Sequence, residues 1–324
     1  MRAAIEAAAA VRTITSPNPW VGAVVVDERA EIVATGATHP PGGPHAEREA
    51  LRFAGPAAAG ATLVTTLEPC SHTGRTPPCT EAIIAAGIRR VVVGIEDPDP
   101  LVAGQGIAAL RDAGVDVTLG VEAEAVTEQL APYLTHRRTG RPYVVLKLAA
   151  TFDGRTAAPD GTSQWITGDA ARADAHRLRA ESDAVLVGAG TVRADDPALT
   201  VRHVAGRDPL RVVLGQAPPD ARIHPCLEMS GDLGAVLDDL GRRGVVQLLV
   251  EGGATVAHAF HTARLVDRYV VYLAPAVFGG DDALGLFRGP AAPTIEALPR
   301  GRFTSVCQLG DDVRLDVVME RRGG

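Results

Sequence analysis

The chain has 324 residues, of which 46% are hydrophobic and 22% are charged, which is the composition of a folded globular protein of about two domains. The formal net charge is −7, with 32 basic and 39 acidic residues, so the overall charge is not that of a nucleic-acid-binding protein. No apolar run reaches the roughly 20 residues of a bilayer-spanning helix, and the opening MRAAIEAAAAVR predicts an amphipathic helix, not a signal peptide. We therefore expect a cytoplasmic protein with no nucleic-acid or membrane partner.

Short strands alternate with helices in the first half of the chain. Strands are predicted at 21–27, 31–36, 61–68, 89–95 and 115–120, and helices at 45–55, 79–87 and 106–114. This alternation favours an α/β domain with a sheet covered by helices. The segment THRRTGRP, which ends at residue 142, combines charges with Gly and Pro, as is typical of domain boundaries. We predict one domain over 1–140 and a second over 141–324.

The second half starts again with a strand and is also predicted to be α/β. Its strands are expected at 143–150, 183–188, 210–215, 245–252, 267–275 and 312–319, and its helices at 169–180, 233–243 and 254–263.

A candidate zinc site lies in the first half. His45 is followed two residues later by Glu47, and the two cysteines Cys70 and Cys79 come after it. One imidazole and two thiolates make a three-ligand zinc set that leaves the fourth position for water. Two prolines precede Cys79 and place it where a helix begins, which favours the thiolate. The alternative is a loop histidine near two buried free cysteines.

Lys147 and Asn18 are the only lysine and the only asparagine of the sequence. In a chain rich in Arg and Ala, each is a candidate for a position where Arg or Asp would not serve, since Lys is a compact, tunable charge. The alternative is chance.

Three motifs of the first half carry a family resemblance. The stretch LEPCSHTGRTPPC has a longer insert between its cysteines than most zinc nucleoside and base deaminases. Together with SPNPWVGAVVVD and GIEDPDPLVAGQGI, it resembles the deaminase half of the bifunctional riboflavin-biosynthesis deaminase/reductases. The resemblance implies that zinc is bound by His45, Cys70 and Cys79, that Glu47 is the general acid/base, and that Asn18 contacts the pyrimidine. Trp20 departs from the small residue that is more common in this family.

Two strands of the second half run into glycine-rich turns, at 188–191 and at 251–255. Glycines between a strand and a helix let backbone N–H groups approach a phosphate, although such glycines also occur in simple tight turns. Together with LKLAATFDGRTA, GTSQWITGDAARADAHRLRA, DAVLVGAGTVRADDPALTVR and LLVEGG, these turns resemble the reductase half of the same family. That half has a dihydrofolate-reductase-like fold.

The reductase resemblance implies two groups of site residues. The residues that would contact NADPH are Ala150, Trp165, Thr191, Asp195, Gly253, Ala254 and Thr255. Those that would contact the substrate are Lys147, Ser163, Arg179, Leu199, Arg202 and Glu251. Arginine suits a phosphate because its guanidinium donates paired hydrogen bonds; the alternative for each arginine is a solvated surface charge.

The resemblance as a whole implies an α/β protein, with an N-terminal cytidine-deaminase-like three-layer domain followed by a C-terminal dihydrofolate-reductase-like domain. It implies zinc-dependent deamination of a phosphoribosyl-pyrimidine, then NADPH-dependent reduction of its ribosyl group to ribityl. The small-molecule substrate, zinc and NADPH are the expected ligands, and a homodimer is the expected assembly.

One region departs from the family, because 213–245 is short and offers no counterpart to a further strand and Thr-rich turn near the adenosine end of NADPH. This motivates the alternative of a deaminase whose reductase-like domain has lost cofactor binding. Two further alternatives are a nucleic-acid base editor of the tRNA-deaminase type and a zinc-stabilised structural module. The acidic net charge argues against the first, and the open fourth zinc position beside Glu47 argues against the second.

Overall fold

The computed structural model describes residues 1–73, 77–100 and 102–319. The chain divides into two compact units between Gly140 and Arg141. Within the described ranges, no helix is both long and apolar enough to cross a bilayer.

The N-terminal unit is built on a sheet of order β2-β1-β3-β4-β5, in which β1 is antiparallel to both neighbours and β3, β4 and β5 are parallel. Its strands are β1 (Gly22–Val26), β2 (Ile32–Ala37), β3 (Thr62–Leu67), β4 (Arg90–Ile95) and β5 (Asp116–Leu119). Its helices are α1 (Arg2–Ala10), α2 (Arg12–Thr15), α3 (Ala46–Ala54), α4 (Cys79–Ala85), α5 (Gln105–Asp112), α6 (Ala123–Gln129) and α7 (Ala131–Thr139), with a 3₁₀ turn at Gly55–Ala58.

Helices cover both faces of this sheet, as the expected three-layer fold requires. A Cβ on Gly22 would lie 1.9 Å from the carbonyl oxygen of Ala4 in α1, and one on Gly36 would lie 2.3 Å from that of Ala46 in α3. Gly36 pairs with Ala23, the neighbour of Gly22, and adjacent strand residues point to opposite faces. Helices α1 and α3 therefore pack on opposite faces of the sheet. Each approaches the sheet closely because the glycine beneath it has no side chain.

The predicted boundary segment is more ordered than its composition indicated. Helix α7 continues to Thr139, and Tyr133 and Leu134 on it are buried. Both residues precede the predicted boundary segment THRRTGRP, in which only Pro142 is buried. Gly140 ends the helix in a left-handed conformation, the usual role of a C-terminal glycine.

The C-terminal unit is built on a sheet of order β10-β9-β8-β11-β6-β12-β15-β14. Its strands are β6 (Tyr143–Thr151), β7 (Arg155–Ala157), β8 (Ala184–Gly188), β9 (Leu210–Leu214), β10 (Leu227–Met229), β11 (Gln247–Val250), β12 (Arg268–Ala274), β13 (Leu284–Gly285), β14 (Gly301–Leu309) and β15 (Asp312–Met319); β7 pairs with β13. Its helices are α8 (Asp169–Ala180), α9 (Ala189–Asp195), α10 (Leu233–Arg242) and α11 (Ala254–Thr262).

Six neighbouring strands of this sheet, β10 to β12 in spatial order, are parallel. Their carboxyl ends therefore meet at one edge, where ligands bind in open α/β sheets. At this edge, helix α9 begins directly after β8, and helix α11 begins after the three-residue turn 251–253 that follows β11. Val250 pairs with Leu146, so the next residue along, Glu251, comes level with Lys147.

The expectation that 213–245 lacks a further strand was wrong. Strand β10 lies within it and pairs with β9 in parallel, from Leu227 against Val212. The strand has only three residues and no buried side chain, so neither length nor alternation marks it in the sequence. Strand β14 was also missed. Most of its side chains are exposed, so its sequence does not alternate between apolar and polar residues as that of a half-buried strand does.

Candidate active sites

Three side chains of the N-terminal unit meet at the ends of three elements. His45 caps the start of α3, Cys70 follows β3, and Cys79 is the first residue of α4. The Nδ1 atom of His45 lies 3.6 Å from the Sγ of Cys70 and 3.4 Å from the Sγ of Cys79. All three ligand atoms fall within 4.8 Å of one another.

These distances suit a tetrahedral zinc ion. Zn–S bonds of about 2.3 Å and Zn–N bonds of about 2.0 Å at tetrahedral angles place sulfur and nitrogen about 3.6 Å apart, close to both observed separations. The donor set of one imidazole and two thiols therefore fits zinc with a fourth position left over. Residues 74–76 of the insert between the cysteines lie outside the described residues.

The groups around this cluster are electrostatically coupled. Glu47, in the first turn of α3, is 4% exposed, and burial, with the charge of Cys70 next in importance, raises the pKa of its carboxyl to about 7. A hydrogen bond with the Cys79 thiol lowers the pKa of Cys70 to about 4, although burial opposes this. The backbone N–H of Cys79 also donates to the Cys70 sulfur at 3.4 Å. One thiolate is thus stabilised before any metal is considered.

Asn18 and Trp20 lie in the segment between α2 and β1. Asn18 is half-buried, and its backbone N–H donates to the carbonyl of Thr15 at 2.9 Å. Trp20 is 3% exposed, and the Arg12 guanidinium lies 5.0 Å from its ring centroid. Trp20, where the family more often has a small residue, is therefore a buried aromatic side chain with a cation against its ring.

Glu68 holds the neighbouring loop and was missed by sequence reasoning. It is 4% exposed and its carboxylate accepts four backbone N–H groups, those of Asp97, Gly104, Gly106 and Ile107, at 2.9 to 3.2 Å. A buried carboxylate is stable when its oxygens are satisfied in this way. Its position directly before Pro69 and Cys70 was the only signal in the sequence.

Three of the predicted substrate residues form one charged cluster in the C-terminal unit. Arg179 of α8 donates through Nη2 to the Glu251 carboxylate at 2.9 Å, and Lys147 Nζ lies 4.0 Å from the same oxygen. Burial would raise the pKa of Glu251, but the charge of Arg179 and its hydrogen bonds outweigh this and lower the pKa. Burial lowers the pKa of Lys147, against the attraction of Glu251.

Four of the seven predicted cofactor residues, Thr191, Gly253, Ala254 and Thr255, lie at the helix starts that follow two adjacent strands. Helices α9 and α11 begin at Gly188 and Gly253, and neither has a side-chain cap. A Cβ on Gly253 would lie 3.4 Å from the Oγ1 of Thr191, so the two turns face each other. Backbone N–H groups at a helix start bind phosphate oxygens, and the absence of a side chain at Gly253 lets a ligand approach. The arrangement therefore fits the pyrophosphate of a dinucleotide.

The other predicted residues of this unit lie outside those two clusters. Trp165 is exposed, with the Arg172 guanidinium 4.8 Å from its ring centroid. Arg202 is exposed, and its Nη1 donates to the Thr200 hydroxyl at 3.3 Å. The remaining positions are Ala150 and Leu199, which are buried, Ser163, which is half-buried, and Asp195, which is exposed; in the turn at Gly253, Ala254 is buried and Thr255 is exposed.

Sequence reasoning also missed a buried ion network in this unit. Arg314 of β15 donates to Asp174 of α8 at 2.6 Å and to Asp316 at 2.8 Å. The Tyr272 hydroxyl of β12 donates to the same Asp174 oxygen as Arg314, at 2.7 Å. The network ties α8, which carries Arg179, to the sheet. No spacing in the sequence connects residues so far apart in the chain.

Comparisons with known proteins cover both units. A family described as the cytidine and deoxycytidylate deaminase zinc-binding region matches residues 1–95, and the RibD C-terminal domain matches residues 142–315. The riboflavin biosynthesis protein RibD of Bacillus amyloliquefaciens is 41% identical over 98% of this chain and 95% of its own length. That of Mycobacterium tuberculosis strain H37Rv is 44% identical over 98% and 96%.

Two solved structures share the fold along almost the whole chain. Acinetobacter baumannii RibD superposes with a TM-score of 0.91 at 37% identity, covering 99% of this chain and 98% of that one. The Thermotoga maritima diaminohydroxyphosphoribosylaminopyrimidine deaminase/5-amino-6-(5-phosphoribosylamino)uracil reductase superposes with a TM-score of 0.88 at 35% identity, covering 98% and 97%.

Proposed function

Since this chain belongs to the RibD family of bifunctional riboflavin-biosynthesis enzymes, we propose that its N-terminal unit holds the deaminase centre and its C-terminal unit the reductase centre. The chain is a zinc-dependent deaminase of 2,5-diamino-6-(5-phosphoribosylamino)pyrimidin-4-one and an NADPH-dependent reductase of the deaminated product. The observation that carries the assignment of residues is the meeting of His45, Cys70 and Cys79 beside the buried Glu47. Nothing favours the alternative of a reductase-like domain without cofactor.

In the deaminase centre, His45, Cys70 and Cys79 hold the zinc. Bound zinc supplies a polarised water whose pKa is lowered towards neutrality. With zinc bound there, the buried Glu47 carboxylate would accept a proton from water and would return it to the amine nitrogen of the substrate. The C–N bond then breaks and ammonia leaves. Asn18 binds the ring edge, since its amide both donates and accepts hydrogen bonds.

In the reductase centre, Arg179 and Arg202 bind the substrate phosphate through their guanidinium groups. Ser163, Leu199 and Glu251 line the rest of the substrate pocket. Bound NADPH supplies a hydride to the anomeric carbon. As the bond from that carbon to the ring oxygen breaks, the oxygen takes a proton and becomes a hydroxyl. Lys147 would give this proton; its Nζ lies 4.0 Å from the substrate residue Glu251, and burial lowers the pKa of its ammonium.

The cofactor lies along the carboxyl edge of the parallel strands. The turn at Gly253, Ala254 and Thr255 holds the pyrophosphate through backbone N–H groups, and Thr191 closes it from the neighbouring strand end. Ala150, Trp165 and Asp195 contact other parts of the cofactor. The two uncapped helix starts support this placement.

The test measures zinc, ammonia release and NADPH oxidation on the same preparation. We expect about one zinc per chain and both activities in the wild type. Cys79→Ser should lose zinc and ammonia release and keep NADPH oxidation on the deaminated substrate. The matched control is Cys307→Ser in β14, which should keep both activities. Full deamination by Cys79→Ser would refute the zinc assignment.

We also propose that the protein is a cytoplasmic homodimer. The edge strand β14 supports the dimer, because it exposes 64% of Phe303 and 63% of Val306, and long apolar edges are normally covered. Light scattering on the purified chain should give twice the monomer mass, and Phe303→Lys should reduce it. A monomer at all concentrations would refute the dimer, and activity in a membrane fraction would refute the location.

A further inference from the structure

His176 in α8 is a buried histidine to which neither reaction above assigns a role. Its ring is 6% exposed, and its Nδ1 lies 3.0 Å from the backbone nitrogen of Arg202. A backbone N–H only donates, so Nδ1 must be the acceptor and the ring proton sits on Nε2. The His203 ring meets the His176 ring edge-on at 5.0 Å.

A second bond joins the same helix to the same stretch of chain. Arg179, one turn after His176 and therefore on the same face of α8, donates through Nη1 to the Thr200 carbonyl at 3.2 Å. We call residues 199–203 the substrate arm, because they include Leu199 and Arg202. Helix α8 thus holds the arm at two peptide groups.

The substrate arm needs such support. Leu199 and His203, at its two ends, have φ values of 50° and 69°, a left-handed conformation that side-chain-bearing residues adopt at a cost and keep only where their surroundings enforce it. Asp208 adds one further bond, accepting from the Val201 N–H at 2.7 Å. Without the bond from Arg202 to His176, the arm would lose its constraint next to the guanidinium that binds phosphate.

The charges that face His176 are those of Arg179, Arg202, His203 and Glu251. Burial, followed by the two arginines, lowers the pKa of His176 to about 4. The ring is therefore neutral at physiological pH and is not itself a cation for phosphate. Its contribution is the acceptor at Nδ1.

We propose that His176 is a positioning residue for substrate binding in the reductase, which sets the place of Arg202 by accepting its backbone N–H. The inference rests on the proposed function, in which Arg202 binds the phosphate. Loss of the acceptor leaves a partly buried N–H unsatisfied and frees the arm, so the effect falls on KM for the phosphorylated substrate more than on kcat.

The experiment compares two amide variants in the full-length zinc-loaded protein. In His176→Asn the side-chain oxygen reaches the place of Nδ1, whereas in His176→Gln the amide reaches only that of Nε2. We expect His176→Gln to raise KM for 5-amino-6-(5-phosphoribosylamino)uracil about tenfold, with kcat for NADPH oxidation changed less than about threefold. His176→Asn should recover most of that loss. The retained kcat for NADPH oxidation reports on folding of the C-terminal unit, and ammonia release on the same samples shows that the deaminase centre is unaffected.

The dephosphorylated substrate separates positioning from general damage, because its KM should differ little between wild type and His176→Gln. Equal KM values for wild type and His176→Gln, or equal defects in the Asn and Gln variants, would overturn the inference. Arg202→Ala identifies which claim has failed. If Arg202→Ala raises KM while His176→Gln does not, only the positioning role of His176 is wrong. If Arg202→Ala leaves KM unchanged, the assignment of Arg202 to the phosphate is wrong, and so is the inference that rests on it.

Discussion

Two buried carboxyl groups of the N-terminal unit, Glu47 and Asp97, have raised pKa values, whereas three of the C-terminal unit, Asp174, Asp316 and Glu251, are paired with arginine. Burial, with the charge of Cys70 next, raises the pKa of Glu47 to about 7. Burial likewise raises the pKa of Asp97 to about 6, and its side-chain partner is the neutral hydroxyl of Tyr133 at 3.1 Å. Both groups can bind or release a proton near neutral pH.

The three arginine-paired carboxyl groups of the C-terminal unit show the opposite shift. Burial alone would raise the pKa of Asp174, Asp316 and Glu251, but hydrogen bonds and arginine charges outweigh it and the pKa of each is lowered. These carboxylates stay ionised and fix the guanidinium groups that face them. At Glu47 and Glu251 the contrast matches the roles we propose, since deamination moves protons between water and ammonia, whereas reduction must hold an anionic substrate and an anionic cofactor in place.

The largest effect is expected at the proton-carrying carboxyl of the first unit. Glu47→Gln keeps the three proposed zinc ligands but removes the carboxylate that we propose as the proton shuttle, a contribution of about 10²–10⁴-fold. Ammonia release should fall by that factor, with zinc content unchanged by metal analysis. NADPH oxidation on already deaminated substrate should be unaffected. Loss of both activities together would contradict the independence of the two centres.

The next effect concerns the lone lysine of the second unit. Lys147→Arg keeps the positive charge but places a wider side chain in the space beside Glu251. A guanidinium also does not release its proton near neutral pH. We expect NADPH oxidation at saturating substrate to fall by about tenfold or more, with ammonia release unchanged.

The matched control is Arg243→Lys, an exchange at a residue whose side chain is half exposed, which should alter neither rate. A wild-type rate for Lys147→Arg would show that the lysine is present by compositional chance, and would remove it from the reductase centre.

The arginine-paired carboxylates can be tested through stability. Asp174→Asn leaves Arg314, 7% exposed at its side chain, without one of its two charged partners. We expect a loss of about 3–5 kcal/mol in the free energy of unfolding at neutral pH, measured by urea denaturation. Because the pKa of Asp174 is lowered in the folded state, its stabilisation is present above about pH 4 and is lost as pH falls. The gap between variant and wild type should therefore narrow in acid.

Asp97 should show the reverse pH dependence and the smallest effect. Its folded pKa of about 6 exceeds the ordinary 3.8, so its contribution is most favourable below about pH 4 and is lost as pH rises through 6. Asp97→Asn cannot ionise, and it should become more stable than wild type above pH 6, by at most about 3 kcal/mol. Equal pH dependence in the two variants would remove the contrast between the units.

Much of the fold follows from local patterns in the sequence. Helix α8 was predicted with the bounds Asp169 and Ala180 that the structure shows, and β15 with the bounds Asp312 and Met319, because each has its periodicity and its end signals within one segment. The misses are of another kind. Strand β10 is too short to show a period, and β14 has no consistently buried side to show one.

The sequence by itself determined the zinc chemistry of this protein, because a His, two Cys and a Glu in that spacing have few other uses and their roles depend on residue type. Only the tertiary structure decided how the supporting residues act. Glu68 and His176 bind backbone N–H groups of distant residues, and every residue but proline offers such a group, so no side-chain pattern marks the partner. The opposite pKa shifts of the buried carboxyl groups are likewise tertiary, since they depend on burial and on whether folding brings an arginine to the same place.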